Sequence, residues 1–166
     1  MLSRPMVPMA LAGMLCSFMF ASMACAADPA HVKQFLDTKQ CAKCDLSGAD
    51  LSGILTEWCN LQGANLKGAQ LTGANLRQCN LRGADFSGAE MTGAVLFGVL
   101  AQGAKFVGAM LTRAKLNRAN FEGADFTGAD MRAVNLIESR LKGAILVNAQ
   151  LEGANTDGAQ MEGVKK

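Results

Sequence analysis

The chain has 166 residues, half of them apolar, with 18 glycines, no tyrosine, one tryptophan and one histidine. This length predicts one domain, and the scarcity of aromatic and imidazole side chains argues against an ordinary catalytic pocket. The 16 basic and 14 acidic residues leave a net charge of +2, which is too small to predict nucleic-acid binding through a broad electrostatic field.

The first 26 residues have the features of a secretory signal peptide. Arg4 precedes an uncharged apolar run from about Met9 to Phe20, and the small residues Ala24-Cys25-Ala26 follow. This order predicts cleavage after the last of these residues. One alternative is a membrane anchor, but the run is shorter than the roughly 20 residues of a bilayer span. The other is a lipoprotein processed at Cys25. We predict an exported, periplasmic or extracellular protein without a membrane span after cleavage.

Residues 27–40 are predicted to form a short helical segment before the main body of the chain. Asp28 and Pro29 suit the N-cap and first turn of a helix, and Val32, Phe35 and Leu36 lie at helical spacing on one face. We therefore predict an amphipathic helix over residues 28–38. A partner-binding helix is the alternative to a helix that covers the body of the protein.

A period of five residues runs from Leu46 to Met161. Of the 24 positions in this series, 21 are Leu, Phe or Met, and the exceptions are Thr56, Ala101 and Thr156. The residue two places earlier is usually Ala, and every glycine after residue 26 lies two places later. A period of five matches neither the 3.6 of a helix nor the 2 of a strand. The pattern predicts a chain that turns a corner every five residues.

Such corners lead to a square coil of 20 residues, on which the next coil can stack about 4.8 Å away. The large apolar residue and the small one before it then point inward, and Ala is favoured because the interior is narrow. Gly relieves the steric cost of the corner. Asp or Asn just before the large residue can hydrogen-bond the nearby backbone.

These repeats resemble the pentapeptide-repeat family, whose signature is Ala, then Asp or Asn, then Leu or Phe, then two freer residues. Three of them read Ala49-Asp50-Leu51-Ser52-Gly53, Ala64-Asn65-Leu66-Lys67-Gly68 and Ala124-Asp125-Phe126-Thr127-Gly128. The resemblance covers roughly residues 41–164 and leaves 165–166 as a tail. It implies an all-β fold, a right-handed quadrilateral parallel β-helix of about six coils and about 30 Å in length.

A solenoid exposes its apolar interior at both ends. The predicted helix is therefore expected to cap the first coil. The C-terminal end has no equivalent, and in several family members the C-terminal coils pair. The resemblance thus favours a homodimer through the C-terminal coil.

Two interruptions of the repeat are candidate interaction sites. In Ile54 to Cys59, bulky residues replace Ala and Asn, and Trp58 is expected to point outward or to fold over a corner. In the second, Val95, Phe97 and Leu100 occupy outward places that are usually polar. An exposed apolar patch there would bind a protein partner. The alternative is a tolerated irregularity.

Four cysteines after the signal peptide are candidate disulfide partners, because export leads to an oxidising compartment. Cys41 and Cys44 form a Cys-x-x-Cys pair, and Cys59 and Cys79 lie one full coil apart at the same inward place. Parallel strands in register aim side chains poorly for the second bond. Zinc would need four convergent ligands, and His31 is the only imidazole, so no metal is predicted.

The sequence contains no catalytic triad, phosphate-binding loop or paired buried carboxylates, so neither an enzyme nor a cofactor is predicted. We predict a non-enzymatic structural or protein-interaction scaffold with an unknown protein partner and no nucleic acid. The family resemblance offers one alternative, the protection of DNA gyrase by strongly acidic cytosolic DNA mimics, from which this chain departs in charge and compartment. The other is a thiol redox protein that uses Cys41 and Cys44, although a reactive pair needs exposure and a helix N-terminus.

Overall fold

The computed structural model describes residues 27–166, so the predicted signal peptide lies outside it. The described part has a single α-helix, α1, at Pro29–Thr38. Asp28 is its N-cap, and its Oδ1 accepts a hydrogen bond from Ala30 N at 2.8 Å. The helix ends at Lys39, which takes the left-handed conformation and donates its N–H to Phe35 O at 2.8 Å.

Helix α1 packs on the body of the protein through a narrow face. Phe35 is buried in the core and Val32 packs partly against it. Leu36 is 54% exposed, so the packed face is narrower than the apolar spacing predicts. The first coil holds the start of α1, because Asp28 N donates to Asp45 O at 3.2 Å and Asp45 N donates to His31 Nδ1 at 3.1 Å.

From residue 40 onward the chain forms parallel β-bridges at every fifth residue. Each bridge joins a residue to the one 20 positions later, from Gln40 with Asn60 to Ile145 with Lys165. A turn follows the bridges, except that a bend at Trp58 follows the Leu55 bridge, so the described residues contain no longer strand. The period of five and the register of 20 give four sides to a coil. The fold is therefore a parallel β-solenoid, built from single-residue bridges.

The hydrogen bonds of one repeat, residues 84–88, explain its sequence. Ala84 N–H donates to the carbonyl three residues earlier at 3.0 Å, and Asp85 N–H donates to the preceding coil at 2.9 Å. Phe86 and Gly88 donate to the following coil at 2.7 and 2.9 Å. Ser87 N–H donates to Asp85 Oδ1 at 3.0 Å. All five N–H groups are satisfied, which a buried ladder requires.

Glycine takes the fifth place of the repeat because that place has a positive φ. All 17 glycines of the described part have φ between 62° and 71°. This conformation is open to glycine at no steric cost. Nine other residues also adopt it: Lys39, Lys43, Trp58, Gln78, Arg113, Arg118, Ala133, Glu138 and Asn148.

The interior is a continuous column of apolar side chains. Phe86, Phe106 and Phe126 stack in successive coils with ring centroids 5.1 and 4.9 Å apart, and Phe121 packs edge-on against the latter two. All four rings are fully buried. These rings fill the middle of the solenoid.

Both repeat interruptions keep the interior filled. In each, a larger residue takes the inward place of Ala and a smaller residue takes the neighbouring inward place of Leu. At the second, Val99 stands where Ala is usual and Ala101 where Leu is usual, and both are fully buried. At the first, Ile54 and Thr56 make the same exchange. The hydroxyl of Thr56 is buried and finds no hydrogen-bond partner among the described residues.

Candidate functional site

One side of the solenoid carries the outward apolar residues Leu55, Val95, Phe97 and Ile137, and we call it the Val95 face. Successive coils place one outward residue in each of two stacked columns. The first column holds Leu55, Asn75, Val95, Lys115, Asn135 and Asn155, and the second holds Glu57, Arg77, Phe97, Asn117, Ile137 and Asp157. The corner next to the second column begins at Trp58. The face is regular because its coils share one register.

Two large apolar side chains stand out from the first coil of the Val95 face. Leu55 is 79% exposed and Trp58 is 71% exposed, the highest values among the large hydrophobic residues described. Trp58 occupies a corner place with a φ of 60°, where most repeats have glycine. It points outward, one of the two orientations that the sequence predicts.

Phe97 is half-buried because Arg77 covers it. The Arg77 guanidinium carbon lies 4.7 Å from the centre of the Phe97 ring. Arg77 Nε also lies 3.8 Å from Glu57 Oε1. The three side chains form a ladder along one column. The sequence places them in that column but does not show that the arginine folds over the ring.

The four predicted patch residues do not form one compact surface. Val95 and Phe97 lie side by side on the Val95 face and both are half-buried. Leu100 lies beyond the corner on the next side and is 37% exposed. Trp58 lies two coils away, at the corner below Gly98. The patch is therefore a strip along the face and its edge.

Three exposed apolar residues lie outside the four predicted patch residues, although Leu55 falls within the first interruption. Leu55 adjoins Trp58 on the Val95 face, whereas Val107 and Met110 flank a different corner, with 36% and 47% exposure. All three take outward places that are usually polar. The repeat phase alone places all three at outward positions.

Outward carboxylates next to the large apolar residues are held ionised by local hydrogen bonds. The hydroxyl and the N–H of Ser47 both donate to Asp45 Oδ1, at 2.7 and 3.1 Å, and lower the pKa of Asp45 below its usual value. The side chain of Arg132 donates to Asp130 at 2.9 and 2.6 Å and lowers the pKa of Asp130 far below its usual range. These groups shape the backbone and are not poised for proton transfer.

All four cysteines described are buried and lie in pairs. The sulfur atoms of Cys41 and Cys44 are 2.10 Å apart, with their Cα atoms 5.2 Å apart. Those of Cys59 and Cys79 are 2.21 Å apart, with Cα atoms at 4.5 Å. Cys41 follows the C-terminal end of α1 and not a helix N-terminus. His31 lies near Asp28 and accepts a backbone N–H, as described above.

Within residues 27–166, side chains fill the interior and no pocket opens to the surface. The same residues contain no cluster of His, Cys, Asp and Glu that could hold a metal ion. None of their helices has the length and apolar character that a membrane crossing requires.

Comparison with protein families gives one match. A family model described as pentapeptide repeats matches with 8 copies at residues 59–98, 96–132, 104–143 and 129–165. No curated protein matches the chain significantly. The matched segments lie within the solenoid.

Several solved structures are similar to the chain. One is a pentapeptide repeat protein from the thylakoid lumen of Arabidopsis thaliana, 31% identical, covering 76% of this chain and 68% of that one, with a TM-score of 0.48. Another is trypsin-treated QnrB1, described as a plasmid-mediated fluoroquinolone resistance protein. It is 29% identical, covers 75% of this chain and 63% of that one, and has a TM-score of 0.59. The likeness to QnrB1 supports a solenoid.

Proposed function

This chain belongs to the pentapeptide-repeat family, and from that premise we propose that it is a non-enzymatic scaffold that presents a fixed outer surface to a protein partner outside the cytoplasm. The observation that carries the proposal is the strip of apolar and aromatic side chains on the Val95 face and its edge, above all Trp58. Apolar residues that stay exposed on a solenoid whose other outward places are mostly polar mark an interaction surface.

The absence of an enzymatic role is part of the proposal. Catalysis requires groups that converge on a bound substrate. In the described solenoid, by contrast, the inward places are apolar and the carboxylates lie at outward places along the sides. This separation supports a surface function.

The patch can be tested by restoring the polar repeat. The triple variant Val95→Asn, Phe97→Thr and Leu100→Asn replaces three outward side chains and leaves the interior unchanged. A pull-down with the mature protein from a periplasmic extract of the source organism, followed by mass spectrometry, should lose the partner that the wild type retains. The matched control is the double variant Val107→Thr and Met110→Gln, which removes exposed apolar residues at another corner. Retention of every partner by the triple variant would contradict the patch.

We also propose export, with disulfides at both cysteine pairs. The leader-like sequence of residues 1–26 and the placement of the four buried cysteines in two neighbouring pairs support it. The mass of the protein purified from the periplasm should correspond to a chain that begins at Ala27 and has lost four hydrogens. Acylation at Cys25 would instead give a lipid-modified mass, and free thiols without reductant would contradict the disulfides.

The likeness to QnrB1 bears on the gyrase alternative that the family resemblance raises. A DNA mimic needs a continuous acidic surface. One side of this solenoid has outward acids at Asp50, Glu90, Asp130 and Glu152, but Arg132 and uncharged residues interrupt them. This argues for the scaffold. A gyrase supercoiling assay in which the protein shields the enzyme from a fluoroquinolone would reverse that choice.

The thiol redox alternative is opposed by burial. Cys41 and Cys44 are 0% and 4% exposed, and an attacking thiolate must be accessible. The pair is better suited to holding the first coil closed. Failure of the reduced protein to transfer electrons to a disulfide substrate is the expected result.

The two ends of the solenoid are proposed to differ in role. Burial of Phe35 supports α1 as the cap of the first coil. In the last described coils, Leu151, Met161 and Val164 are only partly buried. This supports the pairing of two molecules through the C-terminal coil. The variant Met161→Asp should then break this contact and lower the molar mass measured by light scattering.

A further inference from the structure

The two corners that border the Val95 face hold most of the non-glycine residues in the left-handed conformation. Six of the nine lie there: Trp58, Gln78, Arg113, Arg118, Ala133 and Glu138. An L side chain in this conformation carries a steric penalty that glycine avoids. The corners that border this face therefore carry side chains despite the steric penalty of the left-handed conformation, whereas most other corners have glycine.

The first and fourth coils of the Val95 face differ in charge. The first coil presents Glu57 between Leu55 and Trp58. The fourth coil, residues 101–120, contains four basic residues and no carboxylate. Three of them lie on this face or its corners and are exposed: Arg113, Lys115 and Arg118. The two coils are three steps apart, roughly 14 Å at the usual strand spacing.

We propose that the Val95 face binds the same face of a second copy of this chain, with the two solenoids antiparallel and the two-fold axis between their second and third coils. In such an isologous contact every pair of residues across the interface occurs twice, because the two-fold axis exchanges the two subunits. The first coil then faces the fourth coil of the partner, and the second faces the third. The partner class of the proposed scaffold is thus the chain itself, an inference that rests on the proposed function.

The arrangement matches residues column by column. Trp58 lies against Arg118 of the partner subunit, and Arg77 lies against Phe97 of the partner subunit. Within its own chain the Nε of Arg118 donates to Glu138 Oε2 at 2.7 Å, so the contact with Trp58 uses the exposed plane of the guanidinium. Both contacts bring a guanidinium onto an aromatic ring, a pairing that Arg77 and Phe97 already make within one chain at 4.7 Å. Glu57 lies near Lys115 of the partner subunit. No ion pair of the described residues involves Lys115, so it is available for this contact.

Other arrangements are less well matched in charge. A parallel pair would set Arg113 opposite Arg118 of the partner subunit, so like charges would meet. Two copies of the side that carries Asp50 and Glu90 would also repel each other. An acidic protein segment or an anionic lipid surface would meet the cations of the fourth coil, but it would set negative charge against Glu57. A matching partner must place positive charge opposite Glu57 and negative charge opposite the cations of the fourth coil.

The contact extends over four coils, roughly 15 Å, so its area falls at the small end of specific interfaces. We therefore expect a weak dimer whose population rises with protein concentration. Trp58 is the one tryptophan of the sequence. Its fluorescence should shift to shorter wavelength when the protein dimerises, because the contact removes the ring from water. Dilution should reverse the shift.

Charge reversal tests the geometry. Sedimentation velocity over a concentration series should show dissociation constants raised about tenfold or more in Glu57→Lys and in Lys115→Glu, since each places two like-charged pairs in the contact. Mixing the two variants should restore the dimer, because every pair then has opposite charges. This rescue cannot come from a misfolded protein. Lys142→Glu, the same charge change on another side, is the matched control.

The outcomes separate this proposal from its neighbours. A wild-type protein that stays monomeric, or a dimer that survives both reversals and disappears only in Met161→Asp, overturns it. If the wild type is monomeric but the triple patch variant still loses a partner in the pull-down, the scaffold function stands and the second copy is wrong. Failure of the mixture to dimerise when both single variants are folded also contradicts the paired coils.

Discussion

At the scale of single residues, the Asp or Asn before each large apolar residue completes the backbone hydrogen bonding of the repeat. In the repeat at 84–88, Asp85 satisfies the one N–H that neither a turn nor a neighbouring coil reaches. The same bond recurs along the solenoid, for example from Ile137 N to Asn135 Oδ1 at 3.0 Å. Short side chains are selected because their oxygen lies close enough to accept from the backbone N–H two residues later.

Removing one such acceptor should destabilise the protein without altering its core. We expect Asn135→Ala to lower the free energy of unfolding by about 1 kcal/mol, since a half-buried N–H loses its partner. Asn135→Asp keeps the acceptor and should stay close to the wild type. Chemical denaturation measures both. Equal losses in the two variants would show that the amide group acts in another way.

The hydrogen-bonded carboxylates also predict how stability depends on pH. The pKa values of Asp45 and Asp130 are lowered in the folded protein. Their contribution is therefore complete above the unfolded pKa of about 3.9 and is lost as the pH falls through the lower folded values. The thermal midpoint should be flat near neutral pH and decline in acid. Asp130→Asn cannot ionise and should decline less; an identical decline would contradict this assignment.

At the scale of elements, α1 is attached to the first coil through one buried ring. Phe35 is 1% exposed and Leu36, its neighbour, is 54% exposed. These two apolar residues therefore form a matched pair for testing what the helix contributes.

We expect Phe35→Ala to lower the free energy of unfolding by about 3 to 5 kcal/mol, the usual cost of deleting a buried aromatic ring. Leu36→Ala should change it little because the side chain is mostly in water. Hydrogen exchange should also show the first coil opening in Phe35→Ala while later coils stay protected. Similar effects of the two substitutions would mean that α1 does not pack as described.

The elements also show what can be read from the sequence. The period of five, the inward places and the corner glycines follow from the spacing of Leu, Ala and Gly, because volume and steric cost leave few residues for those places. The register of outward columns follows as well. The positions of long side chains do not, since Arg77 has enough freedom to lean on either Glu57 or Phe97. The phase of the repeat therefore predicts the column in which a long side chain lies, but it does not predict the rotamer of that side chain.

At the scale of the whole molecule, stability is distributed along a stack in which each coil contacts only its neighbours. The two cysteine pairs both lie in the first two coils, at residues 41–79. With the two proposed disulfides formed, the first two coils are cross-linked, whereas the last coils are held by packing and by backbone hydrogen bonds such as that from Leu146 N to Lys165 O at 2.7 Å.

Reduction should act locally on this stack. We expect reductant, or the double variant Cys59→Ala and Cys79→Ala, to increase hydrogen exchange in roughly the first two coils and to leave the coils after residue 101 largely protected. Exchange followed by mass spectrometry resolves the two regions. A uniform loss of protection would instead show that the solenoid unfolds as one cooperative unit.

The uniform register of 20 residues, from Gln40 with Asn60 to Ile145 with Lys165, also constrains how a gene of this kind can change in length. Duplication or loss of 20 codons adds or removes one coil, and every later residue stays on the same side of the solenoid. A change of five codons keeps the repeat in phase but turns everything downstream by a quarter revolution. A change of five codons between residues 58 and 115 would move Lys115 and Arg118 to an adjacent side of the solenoid, while Trp58 would keep its position. Length variation in steps of 20 is therefore compatible with a conserved docking surface, and variation in steps of five would dismantle it.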